Sequence, residues 1–375
     1  MVKIQSDRDI QDFVRGCTFM GTGGGGNPKD GVAWLKATRD EKKEITWVDH
    51  TEIRDDAWTV CPFLMGSIAP LSEDAKQRMK QLGLAKEVYK SIQAESVRLL
   101  EQYMNVKIGA IVAIELGGSN TPGAVAAAAR LGIPAVDGDY TGRAIPEIPQ
   151  TTPYLNDLSL WPISSVDNYG NRCVIRDSVG YEMAERIGKF LAAASFGLAG
   201  QAGFLFKGKD MKRVVIPGTL SNCLRIGRLI RESSQAGRDP VKEIVGELNG
   251  WLLFEGVVSK KEWEDKEGYY WGTHTMRGEG AFAGSIFKIW FKNENHISWL
   301  DDKPYVTSPD MLIVVNRETG EPYANSAIEE GQRVAVIGLQ AIPQFRSKKG
   351  IHILGPKHFG FDIKYTPIEQ VVGRA

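Results

Sequence analysis

The chain has 375 residues, 42% of them hydrophobic and 25% charged, with 46 basic and 46 acidic side chains. That length divides more comfortably into two domains than one, and the composition is that of a globular protein with sizeable cores. The balanced charge gives no whole-molecule field for nucleic acid or an anionic membrane surface, so neither is expected as a partner.

The first stretch, "MVKIQSDRDIQDF", lacks the apolar run of a signal peptide, and no apolar segment approaches the ~20 residues that span a bilayer. Cys17, Cys61, Cys173 and Cys223 are far apart and form no C-x-x-C pair, which points to reduced thiols and a cytoplasmic location. "SDRDIQDFVRGCTF" reads as a helix capped by Ser6, and a second helix is expected near Pro28 to Arg39, since proline suits a first turn. "EITWVDH" and "WTVCPFLMGS" read as strands, followed by helical periodicity over residues 72 to 104. "KIGAIVAIELGGSNTPGAVAAAARLGIPAVDGD" is the clearest strand, loop, helix, strand unit, with a strand apolar on both faces and an alanine-rich crossover. Two more helices are expected around "YEMAERIGKFLAAASF" and "PGTLSNCLRIGRLIRESS", the second capped by Thr219 or Ser221. After residue 250 the period changes to two, and six strand-like runs are separated by Gly, Asp and Asn turns. The expected fold is an N-terminal α/β domain with a largely parallel sheet, residues 1–168. A β-rich C-terminal domain, sandwich or barrel-like with two helices, follows at 169–375.

Between the first two helices, "FMGTGGGGNPKDG" places six glycines in thirteen positions. Its G-x-G-x-x-G match follows a helix rather than a strand, and no Lys-Ser/Thr comes after the last glycine, so neither a dinucleotide fingerprint nor a P-loop is expected. Consecutive glycines let backbone N–H groups converge, so Gly23, Gly24, Gly25 and Gly26 are candidates to face a ligand anion or polarised oxygen. The alternative is a tight turn needed for packing alone.

In open α/β sheets, ligands collect at the carboxyl ends of strands. Glu115 follows the strand "AIVAI", and Asp137 and Asp139 end "IPAVDGD", with Arg143 and Glu147 close behind. "FLMGS" likewise ends its strand with Gly66 and Ser67, and Ser119 and Asn120 could hydrogen-bond a planar, amide-like ligand. Crowded carboxyls raise one another's pKa and suit acid/base work, or they hold a divalent metal through oxygen. The alternative has Asp137 and Asp139 capping turns and Glu115 paired with Arg143. No nucleophile motif stands out, and the histidines show no zinc spacing; His274 and His358 are candidates to reach the cleft from the second domain.

The ordered motifs "FMGTGGGGNP", "IELGGSN", "GIPAVDGDYTGRAIPEI", "PGTLSNCLRIGR", "NENHIS", "PDMLIVVNRETGEP" and "GPKHFGFDIKY" resemble the S-methyl-thiohydantoin desulfurase family over residues 8 to 367. The resemblance implies hydrolytic replacement of ring sulfur by oxygen in a thiohydantoin carrying a propionate arm, as in ergothioneine breakdown. Joined to the residue reading, it makes Asp137 or Asp139 the water-activating base. Glu115 becomes a ring N–H acceptor or partner acid, Gly23 to Gly26 the charge-stabilising amides, and Arg143 the carboxylate anchor. No cofactor is required, although a divalent metal stays open. Two other readings remain: a metal-assisted amidohydrolase acting on hydantoin-like rings, and a non-catalytic subunit of a hydantoinase/oxoprolinase-type partner. A homo-oligomer is expected.

Overall fold

The computed structural model describes residues 1–66, 71–84 and 86–373. The chain begins β1 (Val2–Ile4), α1 (Asp7–Met20), α2 (Pro28–Asp40), β2 (Ile45–Val48), β3 (Trp58–Gly66), α3 (Glu73–Gln81), α4 (Ile92–Met104), β4 (Ile108–Ala113), α5 (Asn120–Leu131) and β5 (Ala135–Asp139). It continues α6 (Thr152–Leu155), β6 (Ile163–Asp167), β7 (Arg172–Ile175), α7 (Tyr181–Ala194), β8 (Leu198–Lys207), α8 (Gly208–Val214), β9 (Ile216–Pro217), α9 (Thr219–Gln235) and α10 (Pro240–Glu247). The remainder is β10 (Trp251–Lys266), β11 (Tyr269–Gly278), β12 (Ile286–Lys292), β13 (Glu294–Leu300), β14 (Lys303–Thr307), β15 (Met311–Asn316), β16 (Arg333–Leu339), α11 (Lys348–Leu354) and α12 (Ile368–Val372).

Local chemistry sets the first helices. The Ser6 hydroxyl accepts from the Asp9 amide and the Asp9 carboxylate accepts from the Ser6 amide, a reciprocal cap for α1. Pro28 opens α2, and the Asn27 side chain accepts from the Lys29 amide at 3.0 Å. The helical texture of residues 72 to 104 resolves into α3 and α4, each started by its own serine cap, Ser72 and Ser91. Gly218, at φ 75°, precedes α9, so neither Thr219 nor Ser221 caps it; the Ser221 hydroxyl turns to Asp137 instead.

The central strands β2, β5, β4 and β3 are parallel in that order, as the strand, helix, strand pattern requires. Antiparallel strands extend the sheet, β1 at one edge and β8, β6 and β7 beyond β3, while β9 pairs with β5. The second sheet is a seven-stranded antiparallel half-barrel ordered β14-β13-β12-β11-β10-β16-β15.

A boundary at 168/169, expected from the sequence, falls inside the first sheet, because β7, β8 and β9 complete it and the second sheet starts at Trp251. The run "LAGQAGFLFK" hides its strand character behind glycine and alanine. A Cβ at Gly200 would lie 2.4 Å from the Ile92 backbone, and one at Gly203 2.7 Å from the Leu160 carbonyl oxygen. Small residues here are a consequence of close packing rather than of a loop.

The two sheets share a core. One apolar cluster runs from Phe13 and Val14 on α1 and Ile226 and Ile230 on α9 into Ile313 on β15 and Ile337 on β16. Where α1 crosses α9, a Cβ on Gly16 or Gly227 would stand 1.7 Å from the facing backbone oxygen of Cys223 or Asp12. Cys17 and Cys223 are buried at this crossing, which suits packing rather than nucleophilic chemistry. Among the described residues, no helix is long and apolar enough to cross a membrane.

Candidate active site

The glycine loop joins α1 to α2, and what sits on it is the rest of the protein. A Cβ at Gly24 would lie 1.9 Å from Glu294 Oε1, one at Gly25 2.3 Å from Gly117 Cα, and one at Gly26 1.8 Å from Ser119 Oγ. Gly25 and Gly26 also have φ of 73° and 86°, a region that side chains avoid. The Gly25 carbonyl accepts from the Ser119 amide at 3.0 Å and the Asn120 amide at 3.3 Å, while the Gly25 amide donates to Glu294 Oε1 at 3.1 Å. The Gly24 amide donates to the Gly21 carbonyl, and the Gly23 carbonyl accepts from the Asn325 amide. Two of the four amides expected to face a ligand are therefore already engaged, and the loop's first role is to seat Glu294 beside the strand ends of the first sheet.

Gly24, Gly25 and Gly26 form one wall of a crevice of about 290 Å³, with Glu115, Asn120 and Glu294 around it. Trp34, Phe63, Met65, Ile114, Ile145 and Leu198 supply its apolar surface. Glu115 leaves the end of β4 and is 5% exposed. Its Oε1 accepts from Asn120 Nδ2 at 2.9 Å and its Oε2 from the Ile145 amide at 2.8 Å. Burial pushes this carboxyl up to about 7, against those two hydrogen bonds, and neighbouring Asp139 adds to the rise. Asn120 in turn accepts from the Leu64 amide at 3.0 Å, so it orients Glu115 rather than waiting for a ligand.

Glu294 opens β13 and is 1% exposed. Among the described residues its Oε2 is buried with no hydrogen-bond partner. Burial, reinforced by the charge of Glu115, drives its carboxyl well above the ordinary range. One chain of contacts thus ties the two carboxyls: Glu294 to Gly25, Gly25 to Asn120, Asn120 to Glu115. Glu147 lines the same crevice in a different state. Burial pushes it up, but His358 and Lys292 outweigh that and hold it at about 2; His358 Nε2 lies 2.6 Å from its Oε2.

Three of the expected site residues are directed elsewhere. Asp137 accepts from the Ser221 amide at 3.0 Å and the Ser221 hydroxyl at 2.5 Å, pinning α9 to β5 rather than facing the crevice. Asp139 accepts from the Thr141 amide, the Thr141 hydroxyl and the Gly142 amide, closing the turn after β5; burial raises it to about 6, yet it does not line the crevice. Arg143 is fully committed inside the protein. It donates to the carbonyls of Ala144, Pro309 and Asn295 and to the Thr22 hydroxyl, so a substrate carboxylate finds no free fork there. Gly23 packs on Asn325, and Ser67 lies outside the described residues. His358 reaches the crevice rim through Glu147, whereas His274 is buried in the second sheet, stacked on Phe291 and 3.1 Å from Asn325 Oδ1, with burial lowering it to about 4. Among the described residues, no group of three or more His, Cys, Asp or Glu side chains is placed to hold a metal ion.

Glu294, Glu185 and Lys189 line the crevice without having been singled out. Glu294 stands inside the motif "NENHIS" at a strand start, and Glu185 and Lys189 form an i, i+4 pair on the inner face of α7.

The model of the S-Me-THD-like N-terminal domain matches residues 8–177 and that of the S-Me-THD-like C-terminal domain matches residues 179–368. No curated protein matches the chain. An X-ray crystal structure of a protein from Chromobacterium violaceum has the same fold, with a TM-score of 0.77 and 20% identity over 98% of this chain and 100% of that one.

Proposed function

The chain belongs to the S-methyl-thiohydantoin desulfurase-like family, and from that premise we propose that its crevice hydrolyses a thiohydantoin bearing a propionate arm to the hydantoin, releasing the ring sulfur as sulfide. The observation that carries the proposal is the pair of buried carboxyls on one apolar crevice, Glu115 raised to about 7 and Glu294 driven well above the ordinary range by burial and by the charge of Glu115. Two buried carboxyls of which one raises the other resist ionising together, so one can serve as base while the other keeps its proton as acid.

The step balances without a cofactor. Ionised Glu115 takes a proton from water as its oxygen attacks the ring carbon between the two nitrogens. Glu294 gives its proton to the sulfur, so the adduct carries one hydroxyl and one thiol. The carbon–sulfur bond then breaks with its electron pair on sulfur. The adduct's hydroxyl proton returns to Glu294, the departing hydrosulfide takes the proton held by Glu115, and both carboxyls are reset as the ring carbonyl forms. In an S-methylated ring Glu294 protonates the ring nitrogen instead, the adduct carries a hydroxyl and a methylthio group, and the departing methanethiolate takes the proton held by Glu115 as the hydroxyl proton returns to Glu294.

Placing Glu115 and Glu294, rather than Asp137 or Asp139, at the chemistry makes a direct contrast. Glu115→Gln and Glu294→Gln should each lower kcat by ~10²-fold or more, the usual scale for losing a general acid or base. Asp137→Asn should change it by less than ~3-fold, below ~1 kcal/mol of barrier. Sulfide release followed by mass spectrometry of the ring reads both. Equal losses in all three variants would reject the assignment.

A further inference from the structure

The crevice holding Glu115 and Glu294 adjoins a second cavity of about 740 Å³, and Glu147, Glu185 and Lys189 line both. At this neck two ammonium groups share one aromatic ring: Lys189 Nζ is 3.7 Å and Lys292 Nζ 4.1 Å from the centroid of Tyr269. Their carboxylate partners are not shared alike. Glu147, the ionised one, is bound by Lys292 and His358. Glu185 is occupied from other directions: its Oε2 accepts from the Ile148 amide at 2.7 Å and its Oε1 from the Tyr269 hydroxyl at 2.6 Å, leaving Lys189 Nζ 4.0 Å away. Burial raises the Glu185 carboxyl, against the charge of Lys189 and the hydrogen bonds from Tyr269 and Ile148. The nearest hydrogen-bond acceptor to Lys189 is the Gly268 carbonyl at 3.5 Å, and the lysine side chain is only 16% exposed.

A largely buried cation with so little compensation is costly unless something brings it an anion. Of the two carboxyls lining both cavities, Glu147 is held by Lys292 and His358 and Glu185 by the Ile148 amide and the Tyr269 hydroxyl, so neither closes on Lys189 within 4.0 Å. Arg143 is spent on backbone carbonyls and the Thr22 hydroxyl.

Resting on the thiohydantoin reading, we propose that Lys189 is the residue that selects the substrate by charge: it binds the anionic end of the ring's side arm at the neck, with the arm's carbon chain lying against Tyr269. The ring then occupies the 290 Å³ crevice beside Glu115 and Glu294. The second cavity, with Met183 and Phe190 on its wall, leaves room for arms longer than the neck itself requires. In a site shielded from solvent, an ammonium–carboxylate contact discriminates strongly against a neutral isostere, because the neutral arm leaves the buried cation unpaired.

The test is calorimetric binding at neutral pH to the full chain, using a hydantoin with a propanoate arm and the same hydantoin with a propanamide arm. The wild-type protein should bind the acid at least about tenfold more tightly, a difference of ~1.4 kcal/mol. Lys189→Met should bring the two ligands to within about twofold, and Lys189→Arg should keep the preference for the acid. An acid-to-amide ratio unchanged in Lys189→Met, a wild-type protein that does not distinguish the two, or one that binds neither would overturn the proposal. Binding needs no turnover, so the two readings fail separately. A charge-selective protein that releases no sulfide from the corresponding thiohydantoin would refute the desulfurase reading alone. Sulfide release from acid and amide alike, with equal binding, would refute only the role of Lys189.

Discussion

Glu115 and Glu294 are both glutamates at strand boundaries, and their environments set them apart from the exposed acids of the chain. Burial with only two compensating hydrogen bonds raises Glu115 to about 7, so the active, ionised form appears as pH rises through that value. With Glu115 as base, kcat/KM should climb between pH 6 and 8 with a midpoint near 7. A pH profile measured for the wild type and for Glu115→Gln checks this, the variant losing that limb. The same shift has a sign for stability. A carboxyl raised on folding binds more protons when native than when unfolded, so its contribution is full below about 4.5 and is lost as pH rises through about 7. Whatever fixed cost the glutamine carries, the stability of Glu115→Gln relative to the wild type should therefore improve by ~3 kcal/mol between pH 4 and pH 8. Urea denaturation at both pH values measures it, and a constant difference would mean that Glu115 is not perturbed. Glu115 was legible in the sequence because a strand end in an open α/β sheet is a place to look. Glu294 was not, because its partner Gly25 lies in the other half of the chain and no local spacing records that contact. Asp137 and Asp139 satisfied the same strand-end rule and still turned away, one to Ser221 and the other to its own turn.

At the scale of elements, glycines decide where backbones meet. The dense run at 23–26 reads as a ligand loop by composition, and it does line the crevice, but its spacing is dictated by Glu294, Gly117 and Ser119 pressing on it. Gly24→Ala places a methyl group 1.9 Å from Glu294 Oε1 and must displace that carboxyl. Activity should fall by at least ~10-fold, more than a surface alanine would cause, as a crystal structure or turnover assay would register. The crossing of α1 and α9 is the structural counterpart. Gly227→Ala sets a methyl 1.7 Å from the Asp12 carbonyl and should cost ~1–3 kcal/mol in urea denaturation, the usual scale of overpacking. Helix starts such as Ser6 and Pro28 were legible because caps act within a turn. The strand β8 was not, because its Gly and Ala residues answer to α4 and to the segment around Leu160 rather than to a period of two.

For the whole molecule, the change from mixed to period-two texture located the second sheet, while the first sheet reaches past residue 200 and shares its core with the second. That shared core has a functional consequence. The crevice takes Glu115 from the strand ends of one sheet and Glu294 from the first position of a strand in the other, so the site exists only when both sheets are docked. Neither carboxyl alone supplies acid and base together. The most direct test of this account is to incubate the protein with a thiohydantoin in oxygen-18 water and follow the products by mass spectrometry. An intact ring carrying one heavy oxygen at the former sulfur position, formed together with sulfide and lost in Glu115→Gln and Glu294→Gln, is the expected result. Heavy oxygen in a ring-opened product that keeps its sulfur would contradict it.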